Sequence, residues 1–308
     1  MKADLTTHLC GIKMSNPVVT ASGTSGYGKE FSQFYDLAVF GAFTVKSVFL
    51  NKRAGNPTPR IAECASGVLN AIGIPSQGVK HFIREDLPLL RRYKVPVIVS
   101  IAGLTVDEFP QIASILDRQE GISAIELNIS CPNLEAGGCS FGADPDVTGR
   151  IIRLVKSATR LPVIAKLTPN VTDITAIARS IETNGADAVS LINTLGAMAI
   201  DIETQKPKLA NIFGGLSGPA IKPVGIKMVW QVYNTVKIPI IGMGGVMTWE
   251  DAIEYTLAGA TAVGIGTVLL RDPWAVFDIV EGMRGYLERK GLNRLEDIRG
   301  KVKLPGSV

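Results

Sequence analysis

The stretch ELNISCPN, residues 126–133, sets a cysteine between two asparagines and ahead of a proline. Cys131 is thus a thiol with the amides Asn128 and Asn133 on either side. The continuation SCPNLEAGGCSFGADP is polar and glycine-rich, so it reads as a loop rather than a core segment. Most free cysteines are buried, inert small hydrophobes. A loop thiol near cations instead has a lowered pKa and serves as a base or nucleophile. Cys139, on the same loop, competes for that role. Two lysines end apolar runs, Lys46 in FTVK and Lys166 in VIAK. A lysine ending a buried strand needs an anion or water, and a salt bridge on the rim is the plain alternative. Two glycine-rich turns, GMGGV (242–246) and GIGT (264–267), offer backbone N–H groups to a phosphate, with LSGPA (216–220) as a third loop. Tight turning alone would also select glycine. Lysines and glycine turns together favour an anionic ligand, or a cofactor that becomes anionic when reduced, as a flavin does.

These residues need elements to bring them together. Two phrases alternate along the chain. One is proline before a β-branched run: NPVVTAS at Asn16, VPVIVS at Val95, LPVIAK at Leu161 and IPIIGM at Ile238. The other is glycine before a short apolar run: GAFTVK at Gly41, GISAIELN at Gly121, GADAVSLIN at Gly185 and GATAVGIG at Gly259. Stretches of helical period such as DPDVTGRIIRLVKSATR and VTDITAIARSIETN lie between them. Eight buried strands alternating with helices predict a (β/α)8 TIM barrel, with a doubly wound sheet as the rival. The whole chain, residues 1–308, is expected to form one domain. LTTHLCGIKM predicts an N-terminal β-hairpin turning at Cys10–Gly11 and plugging the barrel bottom. Thr248 and Asp251 predict a capping box opening the helix after the seventh strand. The connection over residues 48–94, with several prolines and glycines, predicts an elaborated loop over the top. In such a barrel the strand C-termini carry the chemistry. Those ends are Ser22, Lys46, Ser100, Asn128, Lys166, Asn193, Gly244 and Gly266.

The composition narrows the function classes. Of 308 residues, 46% are hydrophobic and 19% charged, ordinary for a globular protein. A net charge of +4 without a basic block disfavours nucleic acid as a partner. From the start Met-Lys-Ala-Asp no signal peptide is expected, and the uncharged run 255–270 contains three glycines, so it reads as a helix end plus a buried strand rather than a membrane span. The four cysteines form no Cys-x-x-Cys pair, which disfavours a zinc or iron–sulfur site made by this chain alone and suits reduced thiols in the cytoplasm. With only two histidines, histidine acid–base chemistry is not the first expectation.

Read together, TVKS (44–47), LNAIGIPSQG (69–78), ELNISCPN with GGCSFGADP, and the GMGGV and GIGT turns resemble the dihydroorotate dehydrogenases over nearly the whole chain. A cysteine in ISCPN, where the membrane-associated class has serine, is similar to class 1, and the loop AGGCSFGADP is similar to subclass 1B. With about one hairpin before the first strand, the chain is expected to lack the membrane extension of class 2. The resemblance implies oxidation of (S)-dihydroorotate to orotate, with FMN taking the hydride from C6 and NAD+ the final acceptor. Cys131 would be the base that removes the C5 proton. Lys46, Asn70, Ala71, Ile72, Gly73, Ile74, Asn128, Asn133, Asn193 and Thr194 would bind the substrate. Ser22, Gly23, Lys46, Ser47, Ser100, Asn128, Lys166, Ile192, Gly218, Gly244, Gly245, Gly266 and Thr267 would bind FMN, and the loop over residues 131–144 would close over the site. It also implies a partner subunit carrying FAD and a [2Fe–2S] cluster, joined to a homodimer of barrels in a heterotetramer. A fumarate-using 1A enzyme and a dihydropyrimidine dehydrogenase-like flavoenzyme are the alternatives; a flavin-free phosphate-binding barrel and a non-catalytic barrel are the others.

Overall fold

The computed structural model describes residues 3–130 and 141–305. The chain opens with a hairpin of β1 (Thr7–Leu9) and β2 (Ile12–Met14), paired antiparallel. Cys10 (φ 41°) and Gly11 (φ 83°) form its turn, the left-handed pair that a two-residue hairpin loop demands. Then comes β3 (Val18–Thr20), followed by β4 (Phe43–Val48). A second hairpin, β5 (Ile61–Cys64) and β6 (Gly67–Asn70), precedes α1 (Val79–His81), a π-helical turn and α2 (Leu87–Leu90). Strand–helix alternation follows: β7 (Val97–Ile101), α3 (Glu108–Asp117), β8 (Ala124–Asn128), α4 (Pro145–Ala158), β9 (Val163–Lys166), α5 (Ile174–Thr183) and β10 (Ala188–Leu191). The short strands β11 (Leu195–Ala197), β12 (Ile200–Asp201), β13 (Lys206–Pro207) and β14 (Gly214–Ser217) lead to α6 (Lys222–Tyr233). The chain ends with β15 (Ile240–Met243), α7 (Trp249–Ala258), β16 (Ala262–Ile265), α8 (Thr267–Arg271) and α9 (Ala275–Arg289).

All eight strands expected from the two repeating phrases pair in one parallel sheet, in the order β3-β16-β15-β10-β9-β8-β7-β4. The ring closes between β3 and β4 through a single parallel bridge, Val19 to Ala42. There a side chain completes the ladder. The buried Thr20 hydroxyl accepts from the Thr44 N–H at 2.7 Å and donates to the Thr44 carbonyl at 3.0 Å. The fold is thus the predicted (β/α)8 barrel, closed without a free sheet edge.

Side chains two residues apart on a strand share a face. Ile98, Ala124, Ile164, Ala188, Ile241 and Ala262 turn inward and pack with Leu9 and Met14 of the hairpin. The hairpin therefore plugs the bottom of the barrel, as LTTHLCGIKM predicts. The opposite strand faces, with Ile125, Leu127 and Val163 among them, meet the helices in a second apolar layer. The predicted capping box is present: Thr248 and Asp251 exchange hydrogen bonds at the start of α7.

The region expected to be a loop over the top is more ordered than that. β5 and β6 join β14 and β11 in a four-stranded antiparallel sheet. The strands are short and half-exposed, and β14 reads GGLS. No period-2 apolar pattern marks them, and β6 and β14 lie far apart in sequence, so local pattern could not pair them.

Two outcomes test this packing. Thr20→Val keeps the shape but leaves the buried Thr44 N–H without its acceptor. We expect a loss of about 1–3 kcal/mol of unfolding free energy in urea denaturation; an unchanged midpoint would mean that packing alone holds the seam. At the bottom of the barrel, desolvation pushes the Cys10 thiol up to about 12 from 9.0, with the Asp187 carboxylate adding to it. The folded value lies above the unfolded one, so the contribution to stability is complete below pH 9 and declines as pH rises toward 12. Native protein at pH 8 should leave Cys10 largely unalkylated by iodoacetamide, and urea should expose it. Equal labelling in both states, read by mass spectrometry, would contradict the burial argument.

Candidate functional site

Above the apolar plug the barrel interior turns polar. Register places Ser100 of β7 beside Glu126 of β8, and Lys166 of β9 beside both Asn128 of β8 and Ser190 of β10. All five are buried. The Lys166 ammonium lies 3.4 Å from Ser22 Oγ and 4.0 Å from Glu126 Oε1. Glu126 Oε2 accepts from Ser190 Oγ at 2.8 Å.

A hydrogen-bonded relay runs along the rim. The Thr194 N–H donates to Asn193 Oδ1 at 2.8 Å, and Asn193 Nδ2 donates to Asn128 Oδ1 at 3.3 Å. Asn128 Nδ2 donates to Ser47 Oγ at 3.1 Å, and the Ser47 and Ser100 hydroxyls are hydrogen-bonded at 2.9 Å. Each amide is oriented by its neighbour, which fixes the donors and acceptors that face the mouth. Lys46, at the edge of this relay, is half-buried. Desolvation, and then the Arg60 guanidinium, holds its pKa below the usual lysine value, while Glu30 acts the other way.

The far wall is built from turns. Gly244 (φ 121°) and Gly245 (φ 73°) follow β15 in conformations that side chains rarely adopt. A Cβ on Gly245 would come 2.8 Å from the Gly218 carbonyl, so the two loops close on each other only because it is absent. The buried Tyr255 hydroxyl donates to the Gly244 carbonyl at 2.7 Å. Asp251 Oδ2 accepts from the Met247 and Thr248 N–H groups while Oδ1 accepts from Lys222 Nζ at 2.6 Å, tying this turn to α6.

These surfaces enclose a cavity of about 620 Å³ at the strand C-termini. Most of the sequence-predicted site residues line it. Ser22 and Gly23 come from the end of β3, and Lys46 and Ser47 from β4. Asn70, Ile72, Gly73 and Ile74 come from the end of β6, Asn128 from β8 and Lys166 from β9. Ile192, Asn193 and Thr194 follow β10, and Gly218, Gly244, Gly245, Gly266 and Thr267 complete the wall. Ala71 and Ser100 do not line it. The Ala71 carbonyl accepts from Asn56 Nδ2 at 3.0 Å, and Ser100 is fully buried behind Ser47. Cys131 and Asn133, with Cys139 and most of the expected closing loop, fall outside the described residues.

Several lining residues escaped the sequence reading. Asn170 donates to the Thr194 carbonyl at 3.1 Å and accepts from the Gly196 N–H at 2.8 Å, latching the loop after β10 to the end of β9. Its signal was the TPN just beyond VIAK. Arg53 and Asn56 reach the cavity from the long connection, where no periodicity singles them out. Glu126, an acidic residue inside the apolar alternation of β8, lies behind the lining and was also not singled out.

The family model described as dihydroorotate dehydrogenase matches residues 4–287. The chain belongs to the dihydroorotate dehydrogenase family. Among dihydroorotate dehydrogenases it is similar to the protein named dihydroorotate dehydrogenase B (NAD(+)), catalytic subunit, of Desulforudis audaxviator, 51% identical over 306 residues, 99% of this chain and 100% of the relative. Proteins of the same name from Geotalea uraniireducens and Alkaliphilus metalliredigens are 50% and 48% identical, each over 301 residues, 98% of this chain and 99% of the relative. Among the described residues no helix is long and apolar enough to cross a membrane, and no cluster of three or more His, Cys, Asp or Glu is arranged to hold a metal.

The rim relay of this family member makes a direct prediction. Ser47→Ala removes the group that joins Asn128 to Ser100 and leaves both without that partner. We expect a destabilisation of about 1–3 kcal/mol in chemical denaturation, and an unaltered midpoint would mean that the relay contributes nothing to the fold.

Proposed function

We propose that this chain is the catalytic subunit of an NAD+-dependent dihydroorotate dehydrogenase that oxidises (S)-dihydroorotate to orotate in pyrimidine biosynthesis. One observation carries the reading. Lys46, Lys166 and the oriented Asn128–Asn193 relay converge on one cavity walled by glycine turns, in a chain about half identical over its full length to proteins of that name.

The residues fit FMN. The cavity is large enough for a ring system and a small substrate together. It offers apolar surface at Ile192, Val68 and Met243, a buried cation at Lys166, and close-packed glycine turns where a phosphate can meet backbone N–H groups. On this reading Lys166 holds the ring, with Ser22, Gly23, Ser47 and Ile192 around it. Gly218, Gly244, Gly245, Gly266 and Thr267 hold the phosphate. Ser100 acts through Ser47. FMN, when bound, supplies the acceptor for the hydride that leaves C6 of the substrate. Lys46 pairs with the substrate carboxylate, which offsets the desolvation that lowers its pKa. Asn70, Asn128, Asn133, Asn193 and Thr194 hydrogen-bond the substrate ring and fix its face. Cys131 removes the C5 proton, which the neighbouring carbonyl acidifies.

The printed names of the relatives include both NAD(+) and a catalytic subunit. The four cysteines of this chain form no clustered set for an iron–sulfur relay, and neither GIGT nor GMGG fits a nicotinamide fingerprint. The proposed assembly is therefore a cytoplasmic heterotetramer. Two such chains, each a single FMN-binding barrel domain over residues 1–308, pair with two subunits that carry FAD and a [2Fe–2S] cluster.

The deciding experiment is a flavin spectrum of the purified chain followed by anaerobic dihydroorotate. The protein should be yellow and should bleach with dihydroorotate but not with dihydrouracil; colourless protein, or bleaching by dihydrouracil alone, would reject the reading. Cys131→Ala should retain FMN and lose about 10²–10⁴-fold in turnover, with Cys139→Ala much milder; the reverse order would move the base to Cys139. Expressed alone, the chain should reduce dyes but not NAD+. Efficient NAD+ reduction would remove the need for a partner, and fumarate activity equal to dye activity would place the chain in subclass 1A.

A further inference from the structure

Glu126 has no part in the reaction just described, yet it is one of the most unusual groups in the barrel. It is 1% exposed, and it stands on an inward-facing position of β8 directly above the apolar layer. One carboxylate oxygen, Oε2, accepts from Ser190 Oγ at 2.8 Å. The other, Oε1, is buried without a hydrogen-bond partner among the described residues. A carboxylate with a single neutral donor does not stay in such a place unless a cation compensates it. The cation present is Lys166, whose Nζ lies 4.0 Å from Oε1 and whose side chain is itself 5% exposed. Among the described residues Lys166 in turn has only the Ser22 hydroxyl, at 3.4 Å, as a hydrogen-bond partner. Neither ion is well satisfied alone, and among the described residues each is the other's ion-pair partner.

We propose that Glu126 is a positioning residue: the buried counter-ion that holds the Lys166 ammonium at the floor of the cavity, aimed at the cofactor. The assignment rests on the FMN reading above. Its physical content is coupling. Ser190 orients the carboxylate through Oε2, the carboxylate holds the lysine through Oε1, and the lysine ends at the cavity wall beside Ser22. Glu126 touches neither cavity nor ligand, since the cavity is lined by Lys166 and not by Glu126. A role as a mere space-filler on β8 makes a different demand, because then its replacement by the isosteric glutamine would have the same consequence whatever stands at position 166.

A double-substitution cycle separates the two. Glu126→Gln and Lys166→Met each leave one buried ion uncompensated. Each should lower the melting temperature of the FMN-free protein by roughly 6–10 °C. The double variant E126Q/K166M, which removes both charges, should melt within about 3 °C of the unsubstituted protein. FMN dissociation constants, read from the quenching of flavin fluorescence, should show the same non-additivity. Lys166→Met should weaken binding about tenfold less in the E126Q background than in the unsubstituted protein. If E126Q alone does not fold, a folded E126Q/K166M still supports the pair, and a double variant that also fails overturns it. Additive effects in both measurements overturn the counter-ion assignment while leaving the FMN reading intact. An unsubstituted protein that binds no FMN sinks that reading, and with it the role assigned to Lys166.

Discussion

A ring of parallel strands has no free edge, but it has a hole. Everything at the mouth of this barrel depends on how the hole is filled. Leu9 and Met14 enter from below and pack against alanines and branched residues from seven of the eight strands. Because Ala42, Ala124, Ala188 and Ala262 are small, there is room for the hairpin; larger residues at these positions would fill the ring without it. The result is a dry floor. On a dry floor a carboxylate and an ammonium keep a large mutual attraction that water would screen away. The charged layer of Glu126 and Lys166 is thus a consequence of the apolar layer beneath it.

The rim solves a different problem. A ligand must be met by groups already oriented, since ordering them on binding would cost affinity. The relay from Thr194 through Asn193, Asn128 and Ser47 to Ser100 joins the loop after β10 to β8, β4 and β7. No member can rotate without breaking a bond to the next. The Gly244–Gly245 turn is held in the same spirit by Tyr255 and Asp251, which reach it from α7, behind the wall rather than within it.

How much of this was legible in the sequence depends on the distance over which each feature is encoded. The eight strands are local: a proline or glycine followed by a β-branched run occupies six to nine residues, and all eight were placed. The hairpin turn is more local still, two residues whose conformation Gly11 permits. Lys46 and Lys166 were legible because a charge at the end of an apolar run is anomalous wherever it sits. The sheet of β11, β14, β6 and β5 was not legible, because Asn70 pairs with Gly215 across a separation no periodicity spans. Ser100 sits at the end of its strand like the other candidates, but one hydroxyl, that of Ser47, stands between it and the cavity. Such depth is a matter of ångströms and leaves no mark on residue type. Ala71 is likewise absent from the lining, just past the end of β6, where Asn56 holds its carbonyl.

The two lysines show how identical side chains at equivalent strand ends come to differ. Lys166 is almost fully buried and has an anion within 4.0 Å. Lys46 is half-buried, and the charge that most affects it after desolvation is another cation, Arg60. Among the described residues Lys46 has no ion pair within 4.0 Å, and Glu30 is the charge that acts to raise its pKa. A cation left in that condition gains most from a ligand that brings a full negative charge, because binding supplies the counter-ion that the fold withholds. A cation already paired gains less from a full charge and suits a group that is neutral or only partly charged. Under the proposed function, the unpaired lysine at the rim suits a carboxylate and the paired lysine on the floor suits a ring.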